Sequence, residues 1–144
     1  MIKNTNRKKR KTSQKIFLTG STGFLGGYIL KELIKNNFEI IALVRKSSNV
    51  SKIPKNVKVV YGDLLDIGSL KRAMAEANII VNAAASTPNR DLSGNYHANT
   101  FGVSNLIKAA KHSKINKIIH ISSISITFDI EGKYVKTKLE SESI

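Results

Sequence analysis

Cysteine is absent from this 144-residue chain, which excludes disulfides and thiolate metal sites. Histidine is scarce, and His97, His112 and His120 lie far apart, without the short spacings of a zinc site, so no metal is expected. Long apolar runs are also missing. No stretch approaches the roughly 18 residues that span a bilayer. The apolar run Ile16-Phe17-Leu18 behind the basic N-terminus is broken at Thr19-Gly20, too soon for a secretory signal. These absences lead us to expect a cytoplasmic, metal-free protein with no membrane partner. A chain of this length can build one domain with a core and is too short for two.

Acidic residues are few: 10 Asp and Glu against 24 Lys and Arg leave a formal charge of +14. Six of the positive charges (Lys3, Arg7, Lys8, Lys9, Arg10 and Lys11) stand in the first 14 residues, where no acid offsets them. That segment has no hydrophobic period, so 1–14 reads as a basic disordered tail. The remaining lysines have no aromatic stacking platform between them, and nucleic acid is not the expected partner.

From Lys15 onward, short apolar runs alternate with helix-period segments, the pattern of a parallel sheet covered by helices. Strands are predicted over 15–19, 38–44, 57–61, 79–81 and 117–122. Helices are predicted over 24–36 (apolar stripe Leu25, Ile29, Leu33, Ile34), 69–76 and 94–112. Residues 46–56 leave room only for a loop or a short helix. The strands lack apolar/polar alternation and should be buried on both faces. No internal repeat or Pro/Gly-rich linker marks a further boundary, so 15–144 reads as one domain.

Thr19-Gly20-Ser21-Thr22-Gly23-Phe24-Leu25-Gly26 joins the first strand to the first helix. Free backbone N–H groups and the positive end of a helix dipole suit a pyrophosphate there, and glycines let the backbone approach it. The spacing is G-x-x-G-x-x-G rather than G-x-G-x-x-G, but its strand-to-helix setting is the one the dinucleotide reading requires. At the end of the second strand an acid would bind the adenosine ribose hydroxyls of NAD, whereas an arginine suits the 2′-phosphate of NADP. The chain has Arg45 followed by Lys46. A guanidinium can hold a phosphate with two parallel hydrogen bonds, so NADP is expected, with NAD left open.

With these motifs in place the chain resembles the short-chain dehydrogenase/reductase superfamily, in its extended and atypical branches that include the NAD-dependent epimerase/dehydratases. The resemblance runs from Lys15 to Ile144. It rests on the 19–26 loop, Gly62-Asp63-Leu64, Asn82-Ala83-Ala84-Ala85, Asn99, Ser122-Ser123 and the Y-x-x-x-K of Tyr134 and Lys138, in that order. It implies a Rossmann-type, three-layer, doubly wound parallel sheet. The implied cofactor contacts are Gly20, Thr22, Gly23, Phe24, Leu25, Gly26, Arg45, Asp63, Leu64, Ala83, Ala84, Tyr134 and Lys138, with Asp63 accepting from the adenine amino group. The implied catalytic group is Ser123, Tyr134 and Lys138, with Asn99 as a helix residue that supports the lysine. Ser125 is the runner-up to Ser123.

The chemistry of that group also follows from the residues. Positions i and i+4 of a helix share a face, so Tyr134 and Lys138 point into one space. Tyrosine, with an unperturbed pKa near 10, is a poor base, and a neighbouring ammonium favours its phenolate. A serine hydroxyl beside it could hold a substrate oxygen while hydride passes to or from a nicotinamide.

Two departures from the family stand out: the segment between Ser123 and Tyr134 is short, and the sequence ends at Ile144, where the family continues into a substrate lobe. Three readings follow. The favoured one is a C-terminally incomplete reductase or epimerase acting on a small-molecule substrate. The second is a catalytically inactive NADP-binding module that senses redox state or binds a partner through an exposed sheet edge, a homodimer being compatible with it. The third is a nucleic-acid-associated scaffold.

Overall fold

The computed structural model describes residues 14–87, 96–128 and 131–144, so the basic tail reading, apart from Gln14, lies outside the described residues. The elements run β1 (Lys15–Thr19), α1 (Phe24–Lys35), β2 (Glu39–Val44), β3 (Lys58–Tyr61), α2 (Ile67–Ala73), β4 (Ile79–Asn82), α3 (Phe101–Ala110), β5 (Lys117–His120) and α4 (Lys133–Glu142). A 3-10 turn, Ile124–Thr127, stands between the last strand and the last helix.

The strands form a sheet in the order β3-β2-β1-β4-β5, with every neighbouring pair parallel. This is the doubly wound Rossmann order, and its switch point lies between β1 and β4, where ligands bind such sheets. Successive side chains of a strand point to opposite faces, which divides the core in two. Phe17, Ile41, Leu43 and Ile80 pack with Leu70 and Met74 of the α2 region and Leu106 of α3. Ile16, Leu18, Ile40, Ala42, Ile79 and Val81 pack with Leu30 of α1 on the other face. The result is the expected three layers.

The differences from expectation have local causes. The buried stripe of α1 centres on Gly26 and Leu30, flanked by Ile29, Leu33 and Ile34, while Leu25 is exposed. α2 starts two residues earlier than expected because Asp66 caps it, its carboxylate accepting from the N–H groups of Gly68 and Ser69. α3 begins only at Phe101, because Tyr96 is left-handed (φ 48°) and 97–100 form a turn; Gly94 and Asn95 lie outside the described residues. Asn99 therefore stands on the turn before the helix and not on it. β5 ends at His120, one N–H before the ladder runs out with Ile121 donating to Asn82 O, so Ser122 and Ser123 follow the strand. Burial on both faces holds for β1, β2 and β4 but fails for the edge strands β3 and β5. Among the described residues no strand pairs with the outer side of β3 or β5, and Ile118 and Ile119 of β5 are exposed.

Candidate functional site

The loop after β1 is shaped by what its glycines lack. Gly20 has φ 75°, and a Cβ on it would lie 2.6 Å from Ala84 N and 2.7 Å from the carbonyl carbon of Ala83. No side chain fits there, whatever the backbone strain. A Cβ on Gly26 would lie 2.0 Å from Gly20 O, so only glycine lets α1 press against the loop. A Cβ on Gly23 would meet only Gly20 O, at 3.2 Å, leaving that backbone open to a ligand. Gly23 N–H donates to Gly20 O at 2.9 Å and closes the turn. α1 then starts with no side-chain cap and no acid in its first turn. Its leading N–H groups and dipole are thus uncompensated by the protein. Among the described residues the buried Ser21 hydroxyl beside them also has no hydrogen-bond partner.

Around this loop the sheet's carboxyl edge forms a cleft. It is lined by Thr19, Gly20, Thr22 and Gly23, by Arg45 and Ser48 beyond β2, by Gly62, Asp63 and Leu64 beyond β3, and by Ala83, Ala84 and Ser86 beyond β4. Arg45 is exposed and, among the described residues, makes no ion pair. Gly62 is fixed by packing, since a Cβ would meet Ser69 Oγ at 2.7 Å and Leu43 Cδ1 at 2.9 Å. Asp63 is held on both sides: its N–H donates to Ser69 Oγ, and its carboxylate accepts from Leu65 N–H at 2.9 Å. Phe24 and Leu25 do not line the cleft; their side chains face solvent, and only their backbone belongs to the helix start.

The other expected group sits beside this cleft. Asn99 is buried and bonds both backbone groups of Ser86, accepting from N–H at 2.8 Å and donating to O at 3.0 Å. Its amide also donates to Thr137 Oγ1 at 3.3 Å, so it touches α4 one residue before Lys138. Lys138 is 1% exposed, and its ammonium donates to Ile121 O at 2.7 Å. Burial pushes its pKa down, partly opposed by the Glu142 carboxylate. Tyr134 packs edge-on to Tyr96 at 5.8 Å between ring centres. Ser123 and Ser125 hydroxyls bond each other at 2.8 Å. Among the described residues no hydrogen bond joins the side chains of Ser123, Tyr134 and Lys138. Ser123 and Tyr134 thus stand on two segments, the chain after β5 and α4, which Lys138 ties through Ile121 O.

Residues that sequence reasoning passed over complete the picture. Thr19 accepts from Ala84 N–H at 3.2 Å and donates to Asn82 Oδ1. Asn82 donates to His120 Nδ1 at 3.0 Å, and His120 Nε2 bonds Ser141 Oγ at 3.1 Å. Thr19 and Asn82 stand inside the recognised motifs, but nothing in the sequence paired either with His120.

Comparison with known proteins shows the family and the fold. A family described as NAD(P)H-binding matches residues 20–142. The chain is 30% identical over 115 residues to a 4-hydroxy-2-methyl-3-oxo-4-farnesyl-3,4-dihydroquinoline-1-oxide ketoreductase of Stigmatella aurantiaca, covering 78% of this chain and 34% of that protein. It is 32% identical over 113 residues to a 2-alkyl-3-oxoalkanoate reductase of Shewanella oneidensis, covering 78% of this chain and 29% of that one. The UDP-Glc/GlcNAc 4-epimerase of Campylobacter jejuni superposes with a TM-score of 0.80 at 24% identity, over 90% of this chain and 47% of that one, which shows the shared fold. The chain therefore spans about a third of the length of these curated relatives and about half of the solved one.

Proposed function

From the premise that this chain belongs to the NAD(P)H-binding family, within the short-chain dehydrogenase/reductase superfamily, we propose that it takes part in NADP-dependent redox chemistry at a hydroxyl or carbonyl carbon of a small molecule. The observation that carries this reading is the cleft itself: a glycine turn no Cβ can enter, an uncapped helix start, and on one rim a guanidinium that makes no ion pair among the described residues. Gly20, Thr22, Gly23 and the backbone of Phe24 and Leu25 would hold the pyrophosphate, and Gly26 lets the helix come close enough to do so. Arg45 would hold the 2′-phosphate, with the Ser48 hydroxyl beside it in the cleft. Asp63 and Leu64 would hold the adenine, and Ala83 and Ala84 would leave room for the ribose.

The nicotinamide supplies or accepts the hydride when bound. The chain's own residues handle the oxygen and the proton. Tyr134 would donate its hydroxyl proton to the carbonyl oxygen as the carbon is reduced, or take it back in the reverse direction. Lys138 would stabilise the phenolate and bind the nicotinamide ribose. Ser123 would hold the substrate oxygen, and Asn99, through Thr137, would steady the helix that carries both. The same step serves as a net reduction or as a transient stage of epimerisation or dehydration. The names of the ketoreductase and reductase relatives favour reduction.

A second reading, nucleotide binding without turnover, is favoured by one observation: the Ser123 hydroxyl is engaged by Ser125 and not by Tyr134. Calorimetric titration of the chain with NADPH and with NADH tests the binding half of both. NADPH should bind at least about tenfold more tightly, and Arg45→Asp should remove that preference. Equal affinities, or a preference that survives the substitution, would sink the assignment of Arg45. Tyr134→Phe should abolish carbonyl reduction while leaving NADPH affinity within about twofold. Parallel loss of both would remove Tyr134 from its role as proton carrier.

A further inference from the structure

Four polar side chains run in file from the glycine cleft to the helix that carries Tyr134 and Lys138. Thr19 is 1% exposed, Asn82 0% and Ser141 4%, with His120 half-buried between the last two. Apolar side chains of α3 and β5, Val103, Leu106 and Ile118, line the cavity beside the ring. The direction of every hydrogen bond follows from the two ends. Lys138 O can only accept, so the Ser141 hydroxyl donates to it, at 2.7 Å. Its single hydrogen thus used, Ser141 Oγ must accept from His120 Nε2–H, at 3.1 Å. A neutral ring then presents Nδ1 as an acceptor, and Asn82 fills it with its amide N–H at 3.0 Å. That turns Asn82 Oδ1 to the Thr19 hydroxyl, whose oxygen accepts from Ala84 N–H at 3.2 Å in the cleft wall. The file thus runs in one polarity, from Ala84 N–H to Lys138 O.

We propose that His120 is a positioning residue which, in its neutral form only, fastens α4 with Tyr134 and Lys138 to the strand ends that wall the dinucleotide cleft. This rests on the functional reading above for its consequence, but not for its geometry. A second proton on His120 would set Nδ1–H against the Asn82 amide hydrogens. Turning the amide over would relieve that contact, but it would leave the Thr19 hydroxyl hydrogen with no acceptor. Protonation at one end of the file is therefore felt at the other.

Among the described residues the charged groups that act on the ring both belong to α4: Lys138, which disfavours the imidazolium, and Glu142, which favours it. Burial is the larger influence and, with Lys138, holds the histidine below its ordinary value. The sign follows. A histidine depressed in the folded state contributes stability that is complete above the unfolded value, about 6.5, and is lost as pH falls through the folded one.

Amide hydrogen exchange on the full chain, read by NMR, tests this without nucleotide. In the wild type, protection of 136–142 should fall about fivefold or more, relative to β1 and β2 amides, between about pH 7.5 and about pH 4.5. His120→Phe should show the low protection at both pH values. Should that variant fail to fold, Ser141→Ala breaks the same link from the helix side and should behave alike. His120→Gln, which cannot titrate and can still donate to Ser141, should recover part of the protection and keep it at acid pH. Protection of α4 that is indifferent to Ser141→Ala, or flat in the wild type while the His120 signals titrate, overturns the proposal. Failure of NADPH to bind would sink the functional reading and leave this result standing.

Discussion

The two ends of the sheet are built on opposite principles. Around β1, β2 and α1 the structure is set by atoms that are missing: Gly20, Gly26 and Gly62 let backbone meet backbone or a core side chain where a Cβ would lie within 3 Å of its neighbours. Around β5 and α4 it is set by atoms that are present. Ile118 and Ile119 are exposed, and α4 is held to the sheet by Lys138 reaching Ile121 O and Ser141 reaching His120. Steric fit of the first kind is insensitive to pH and intolerant of any added atom. Hydrogen bonding of the second kind is tolerant of size and sensitive to protonation. The cofactor end should therefore behave as a rigid cradle, and the Tyr134–Lys138 end as an element whose attachment can be adjusted.

The strongest way to break that contrast is to add atoms at the cradle. Gly26→Val should destabilise the chain by about 4 kcal/mol or more, because the clash is with Gly20 backbone and has no flexible side chain to yield. Urea unfolding measures it, and a change below about 1 kcal/mol would mean that the loop is not a fixed element. Next in size is removal of core from the two ends. Leu30→Ala takes a side chain that is 3% exposed out of the α1 face and should destabilise by about 2–5 kcal/mol. Leu139→Ala, on α4 at 47% exposure, should stay within about 0.5 kcal/mol. Equal effects would place α4 inside the core and erase the difference.

The same contrast explains what could be read from the sequence. The cradle was legible because its constraints are local: glycines at fixed spacing between a strand and a helix, then Arg45 and Gly62-Asp63 at the next strand ends. The buried strands β1, β2 and β4 were legible from unbroken apolar runs. The run Ile118-Ile119 in β5 looks the same, yet it is exposed, because burial of an edge strand depends on what lies beside it. Asn99 is identified by its motif, but the left-handed Tyr96 that takes it off the helix has no signature that a tyrosine would advertise. The Asn82–His120–Ser141 file joins residues far apart in sequence, and only the register of β4 against β5, with Asn82 beside His120, brings them together.

A smaller effect is expected where a helix start depends on one carboxylate. Asp66 holds the N–H groups of Gly68 and Ser69 at 2.9 and 3.1 Å, and Asp66→Ala should destabilise by about 1 kcal/mol in thermal or urea unfolding. It tests whether the α2 side of the cradle shares the hydrogen-bonded character of α4. A loss several times larger would show that the cap also holds the Gly62–Asp63 turn through Ser69.

A net change no larger should come from the most buried cation among the described residues, Lys138. Lys138→Met removes a hydrogen bond to Ile121 O and leaves that carbonyl without its ammonium partner, which alone would destabilise by about 1–3 kcal/mol. It also removes a charge whose burial is unfavourable, and methionine keeps the length and helix propensity of the side chain. The two effects oppose each other, so unfolding at neutral pH should change by less than about 1 kcal/mol. Alkaline pH separates them. Because burial holds the folded lysine below its ordinary 10.5, the unfolded chain keeps its proton longer. The wild type should therefore gain stability over Lys138→Met as pH rises through that window. A constant gap would mean that Lys138 is not desolvated in the folded chain. A loss of several kcal/mol at neutral pH would mean that its charge is compensated as tightly as the cradle is packed, and the two ends of the sheet would then differ in chemistry but not in rigidity.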